Sequence, residues 1–173
     1  MARRPALARG EPYDAAPAAV ERGSVSHGLL PGIQPAGTGQ RFAGAGGDAI
    51  LLRFQSPGAD PIAWVEDTSE DHEWAPYHTH PWDELEYVLE GDMEFRVGDL
   101  RGSGGPGTLV TIPKGVPHTL RVVPGGRARF VMVTLGAPSA TFLEEIGEVY
   151  AEGRTPERLV EVAGRHGLAL APE

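Results

Sequence analysis

The chain has 173 residues and is 40% hydrophobic, and its 24 acidic against 15 basic side chains give a formal net charge of -9. That balance disfavours nucleic acid and anionic membrane as partners and suits a protein that handles small molecules. With no cysteine there is no disulfide framework, no thiolate nucleophile and no Cys-type zinc site, so any metal must be held by His, Asp or Glu.

Residues 1–40 are rich in Ala, Pro and Gly with little periodicity, and read as an extended N-terminal arm. The opening MARRPALARG has arginines without an apolar stretch behind them. No run of the chain is long and apolar enough to span a membrane. The expectation is a cytoplasmic protein without membrane contact. Ser24–Leu30 is expected as one short strand, with His27 as a surface or packing histidine.

From about residue 49 the pattern changes to short runs rich in β-branched and aromatic residues: AILLRFQ, PIAWVE, LEYVLE, DMEFRVG, GTLVTIP, PHTLRVV and RARFVMVTL. Gly, Pro and Asp punctuate them, as a sandwich, barrel or jelly roll requires. Gly-rich Gly102–Gly107 lies between two such runs and opens no helix, so it reads as a hairpin loop and not a phosphate cradle. Beyond Pro138 the period becomes helical. Thr141 and Glu144 have capping-box spacing, and Phe142, Ile146 and Val149 fall on one stripe. Thr155 reads as the N-cap of a second helix with Pro156 at its first position. Leu159, Val160 and Ala163 form its expected apolar face, and His166 meets its C-terminal dipole. The two helices are expected to cover a barrel edge or a dimer surface.

The stretch YHTHPWDELEYVLEG, Tyr77–Gly91, concentrates chemistry. On a strand, residues two apart face the same way, so His78 and His80 aim together. Pro81 interrupts the ladder, and Glu84 on the next strand can return its carboxylate to the same point. His118, after the PKGVP turn, supplies another imidazole. A His-x-His pair alone on a strand is usually surface decoration. Two or three imidazoles with a carboxylate suit Fe, Ni, Co, Mn or Zn alike. By strand parity Glu86 also faces inward beside Glu84, as a catalytic carboxylate or as a partner of Arg53 or Arg129. Tyr77, Trp74 and Trp82 flank the stretch, as pocket wall or as packing. His72 is a weaker acid–base candidate. Phe95 and Val97 share one face of a later strand.

Two patterns here resemble the motifs of the cupin superfamily. His78, His80, Glu84 and Gly91 fall on the first motif, with His72 where its leading glycine stands. Gly107, Pro113, Gly115 and His118 fall on the second, with Val122 replacing its asparagine. The resemblance covers roughly residues 41–137. It implies an all-β double-stranded β-helix, a jelly-roll-like barrel whose interior holds one small ligand. The expected organisation is an arm (1–40), a cupin barrel (41–137) and a C-terminal helical segment (138–173). It also implies one divalent transition metal, Fe, Ni, Co or Mn with Zn acceptable, on His78, His80, Glu84 and His118. Tyr77, Trp82 and Phe95 are the expected substrate-pocket residues.

The chain most resembles quercetinase-like single-domain cupins. That implies an O₂-using dioxygenase in which Glu86, or Glu84 itself, takes a proton from a metal-chelating small organic substrate. Two alternatives stand beside it. One is a redox-neutral polyketide cyclase, isomerase or dehydratase that uses the metal as a Lewis acid. The other is a non-catalytic binding cupin, disfavoured by retention of all four ligands. Pairing through sheet edges, common in the family, implies a homodimer.

Overall fold

The computed structural model describes residues 33–44, 49–58, 61–70, 73–136, 139–153 and 155–172. The strand expected over Ser24–Leu30, with His27, lies outside them, as does His72. Two antiparallel sheets face each other. The first has the order β1 (Gln40–Ala43), β2 (Ala49–Gln55), β3 (Ile62–Ser69), β10 (Ala128–Leu135), β5 (Asp83–Glu90), β8 (Leu109–Ile112). The second runs β11 (Ala169–Leu170), β4 (His78–Thr79), β9 (His118–Val122), β6 (Met93–Val97), β7 (Leu100–Gly104). Non-consecutive neighbours in both sheets give the crossovers of a jelly roll, the all-β fold expected, with α1 (Ser139–Ala151) and α2 (Pro156–Arg165) following it. Among the described residues no helix is long and apolar enough to cross a membrane.

The inward faces follow from alternation. In the first sheet, register aligns Leu52, Val65, Met132, Glu86 and Val110 in one row across five strands. The next row holds Ala63, Thr134, Glu84 and Ile112. Because side chains on one face recur every second residue, both glutamates enter the interior among apolar neighbours. Val88, Met93, Phe95, Val122, Ala128 and Phe130 close one end of the barrel as a buried cluster. Leu52, Ala63, Val65 and Leu143 form a second cluster, under α1.

Gly91, in the turn from β5 to β6, has φ +77°, and a Cβ there would overlap the carbonyl oxygen of Arg127. Only glycine meets both conditions. The GSGGPG stretch is less of a loop than expected. Gly102–Gly104 belong to β7, pairing with Phe95–Met93 of β6, and only Gly105–Gly107 turn the chain.

The helices differ from expectation in three details. Thr141 is the third residue of α1, not its cap; the Ala140 N–H instead donates to the Gln55 side chain of β2 at 2.7 Å. Thr155 does cap α2, accepting from the Arg158 N–H, with Pro156 opening the helix. Its buried residue, however, is Val162, and Val160 is 49% exposed. Val162 packs with Ile146 and Val149 of α1, so the inter-helix contact sets which stripe faces inward. Finally, α1 covers the barrel interior itself, with Phe142, Leu143, Ile146 and Tyr150 forming part of the cavity wall. The chain then returns as β11, pairing with β4.

Candidate metal centre

His78 and His80 flank the single residue Thr79, so both imidazoles turn to the same side. The strand pairing His78↔His118 brings the third imidazole directly across. One ring nitrogen of each of His78, His80 and His118 lies within 4.8 Å of the other two.

Each Nδ1 is matched to a backbone carbonyl: His78 to Pro76 at 2.7 Å, His80 to Trp82 at 2.9 Å, His118 to Val116 at 3.0 Å. A carbonyl only accepts, so each Nδ1 carries a proton, and in a neutral ring Nε2 then presents a lone pair. The His80 ring is further fixed by stacking on Trp82, centroids 4.4 Å apart and planes 5° from parallel.

Glu84, at the start of β5, points its carboxylate at these lone pairs. Its Oε2 is 3.2 Å from His80 Nε2 and its Oε1 is 3.8 Å from His118 Nε2. Burial pushes the carboxyl up, but a hydrogen bond from His80 and the positive charge of His80, His118 and His78 when protonated outweigh it and hold Glu84 below its ordinary value. Burial, with His118 adding to it, lowers His78 to about 4, and burial lowers His118 as well. At neutral pH His78 and His118 are therefore uncharged rings whose lone pairs face an anionic carboxylate. The buried Nε2 of His80 has no hydrogen-bond partner. Acceptors facing acceptors in a buried space are costly unless a cation sits among them. The donor set thus fits a divalent transition metal, and its nitrogen and oxygen donors do not single out one element.

Glu86 is 2% exposed and its Oε2 has no hydrogen-bond partner. The alternative in which an arginine neutralises it does not hold: Arg53 pairs with Glu66 at 3.0 Å and Arg129 with Glu90 at 2.7 Å. Burial, then the charges of Glu84 and Asp67, push the Glu86 carboxyl well above the ordinary range. Glu86 and the three histidines open on one cavity of about 220 Å³.

Of the residues expected to line the pocket, Trp82 does so. Tyr77 does not line this cavity. One residue before His78, it takes the opposite side, where Arg96 covers its ring at 3.9 Å. Phe95 faces inward but is absorbed by the closed-end cluster of Val88 and Met93. Trp74 lies outside this cavity, with the Arg121 guanidinium 4.7 Å from its ring. His166 caps α2 near Glu145, 3.3 Å away, apart from the three-histidine group. Asp67, Met132 and Thr134 complete the wall and were not anticipated. Strand parity on β3, where Asp67 follows inward Ala63 and Val65, was the signal for the first of them.

Comparison with known proteins agrees with this geometry. Residues 67–134 match the family described as Cupin domain. This stretch is similar to a cupin domain. It holds all four candidate ligands, Glu86 and Asp67. No curated protein matches the chain. Among solved structures, the polyketide cyclase RemF from Streptomyces resistomycificus is 26% identical with a TM-score of 0.51, over 76% of this chain and 97% of its own. An RmlC-like cupin from Shewanella frigidimarina (13% identical, TM-score 0.54) covers 65% of this chain and 96% of its own. KdgF from Halomonas sp. (14% identical, TM-score 0.51) covers 59% and 92%. The last two likenesses concern the cupin fold alone.

Proposed function

We propose that the protein is a metal-dependent, redox-neutral enzyme of cyclase type acting on a carbonyl-rich, polyketide-like molecule. The observation that carries this reading is the convergence of three tautomer-fixed imidazoles and a buried Glu86, without an arginine partner among the described residues, on one largely apolar cavity. The likeness to RemF, a polyketide cyclase, supports the reaction class.

His78, His80, His118 and Glu84 would hold the ion. When bound, such an ion supplies Lewis-acid polarisation of a ligand carbonyl. Glu84, kept anionic between the imidazoles, serves as ligand and not as proton carrier. Glu86, in the adjacent row, exchanges a proton with the ligand's carbon or oxygen, since among the described residues no arginine pairs with it. Trp82 fixes the His80 ring, while Phe142, Leu143 and Ile146 of α1 keep bulk water from the cavity. The quercetinase-type dioxygenase reading uses the same donor set, and the two separate on oxygen.

The experiment is to load the protein with Zn²⁺ or Fe²⁺ and incubate it with a linear 1,3,5-triketone under argon and in air. Cyclised product, isomeric with the probe or lighter by one water and formed equally in both atmospheres, supports the proposal. Glu86→Gln should abolish that product while keeping its metal. Oxygen uptake with product gaining both oxygen atoms would replace the proposal with the dioxygenase reading.

A further inference from the structure

The outward face of the first sheet is apolar where a solvated face is ordinarily polar. The rows that alternate with the inward ones place Trp64, Val133 and Leu85 side by side, with Leu135 in one flanking row and Tyr87 beside Leu109 in the other. Trp64 is 45% exposed, Tyr87 43%, Leu109 58% and Leu135 37%. Strands stand about 4.8 Å apart, and same-face neighbours along a strand about 6.8 Å. With side-chain width added, the apolar centre over β3, β10, β5 and β8 measures roughly 20 Å on a side, about 400 Å². Contiguous apolar patches of that size are often functional. A stable pair of proteins buries about 800 Å² on each partner. The apolar centre supplies about half of that and leaves the rest to a polar rim, the usual anatomy of an interface.

Charge selects the occupant. The chain carries a formal net charge of -9, so two copies repel each other wherever their carboxylates meet. On this face Glu66 is answered by Arg53 at 3.0 Å and Glu90 by Arg129 at 2.7 Å. Both ion pairs lie at the rim and leave the centre neutral. A neutral, apolar sheet face complements a second copy of itself, as a two-fold contact requires, and sheets pack stably face to face. Pairing through sheet edges, the expectation from the sequence, has less to work with. Among the described residues the edge strands are β1, β8, β7 and β11, of four, four, five and two residues. Edges that short offer few unpaired backbone groups to a neighbour.

We propose that two copies of this chain pack through the outward face of the first sheet, with Trp64 and Tyr87 in the contact. The proposal is independent of the chemistry assigned to the histidine cluster.

The test is sedimentation equilibrium of the full chain over a concentration series, with folding checked by circular dichroism. Wild type should sediment at twice the chain mass. Trp64→Glu and Tyr87→Glu, at positions already half exposed, each bring like charges together across the contact. Each should weaken self-association by about a hundredfold. Leu100→Glu, on the β7 edge and 75% exposed in wild type, should leave the pair intact. A wild type that stays monomeric throughout, with the face covered by another occupant or by none, would overturn the proposal. So would a dimer that persists unchanged in whichever of the two face variants folds, or one dissociated by Leu100→Glu alone, which would mark edge pairing.

Discussion

Replacing Glu86 by methionine should stabilise the metal-free protein. In the row Leu52, Val65, Met132, Glu86, Val110, Glu86 is the single carboxyl among apolar side chains. It is 2% exposed, and its Oε2 lacks a partner. An unsatisfied buried polar atom costs about 1–3 kcal/mol. Methionine has similar length, no polar oxygen and flexibility to fill the space. The variant should gain about 1–3 kcal/mol, which for a chain of this size raises Tm by roughly 2–12 °C. The gain should grow with pH. Because the folded carboxyl has a raised pKa, the native state holds a proton that the unfolded chain has already released above its ordinary value of 4.5. Wild-type stability from this group is therefore lost as pH rises toward the folded pKa, whereas the thioether of the variant has no proton to lose. The assay is urea unfolding of chelator-treated wild type and Glu86→Met at several pH values. A variant less stable than wild type would refute the reasoning, showing that Glu86 is well satisfied in its site. A stability gain together with loss of turnover would mark Glu86 as kept for function at a cost in stability.

Three further outcomes follow from the same geometry. His78→Ala and His118→Ala should each lose metal yet remain folded by circular dichroism; full metal occupancy in both would remove the proposed ligand set. Gly91→Ala should destabilise by more than about 1 kcal/mol in urea titration, through positive φ and overlap with Arg127 O, and an unchanged midpoint would contradict that. Between pH 6.5 and about 4 the unfolded chain protonates His78 while the folded metal-free protein does not, so this residue costs stability as pH falls. His78→Asn should accordingly lose less stability than wild type across that window, and parallel curves would refute the assignment.

The convergence of the candidate ligands is legible in the sequence because it depends on local rules. Alternation puts His78 and His80 on one side, Pro81 breaks the ladder, and Glu84 and Glu86 share a face of β5. His118 needed a long-range pairing, β4 with β9, and there the motif resemblance supplied what periodicity lacks. Inwardness by parity did not say which part of the barrel a side chain reaches, so Phe95 was placed in the pocket when it belongs to the closed-end cluster. Tyr77 was misplaced for a simpler reason, being next to His78 and therefore on the other side. The covering of the cavity by α1, and the return of β11 onto β4, depend on packing between distant segments. The stripe Phe142, Ile146, Val149 showed that α1 would bury a face, not what that face would meet. Val162 in place of Val160 likewise reflects the angle at which α2 meets α1.

The central claim is that four side chains hold one metal ion. The most direct measurement is elemental mass spectrometry of untagged protein purified without chelator from cells supplied with mixed metals, followed by reconstitution. The account predicts close to one equivalent of a divalent transition metal per chain, reduced to background in His118→Ala. A wild-type protein that carries no metal and takes up none on reconstitution would contradict it.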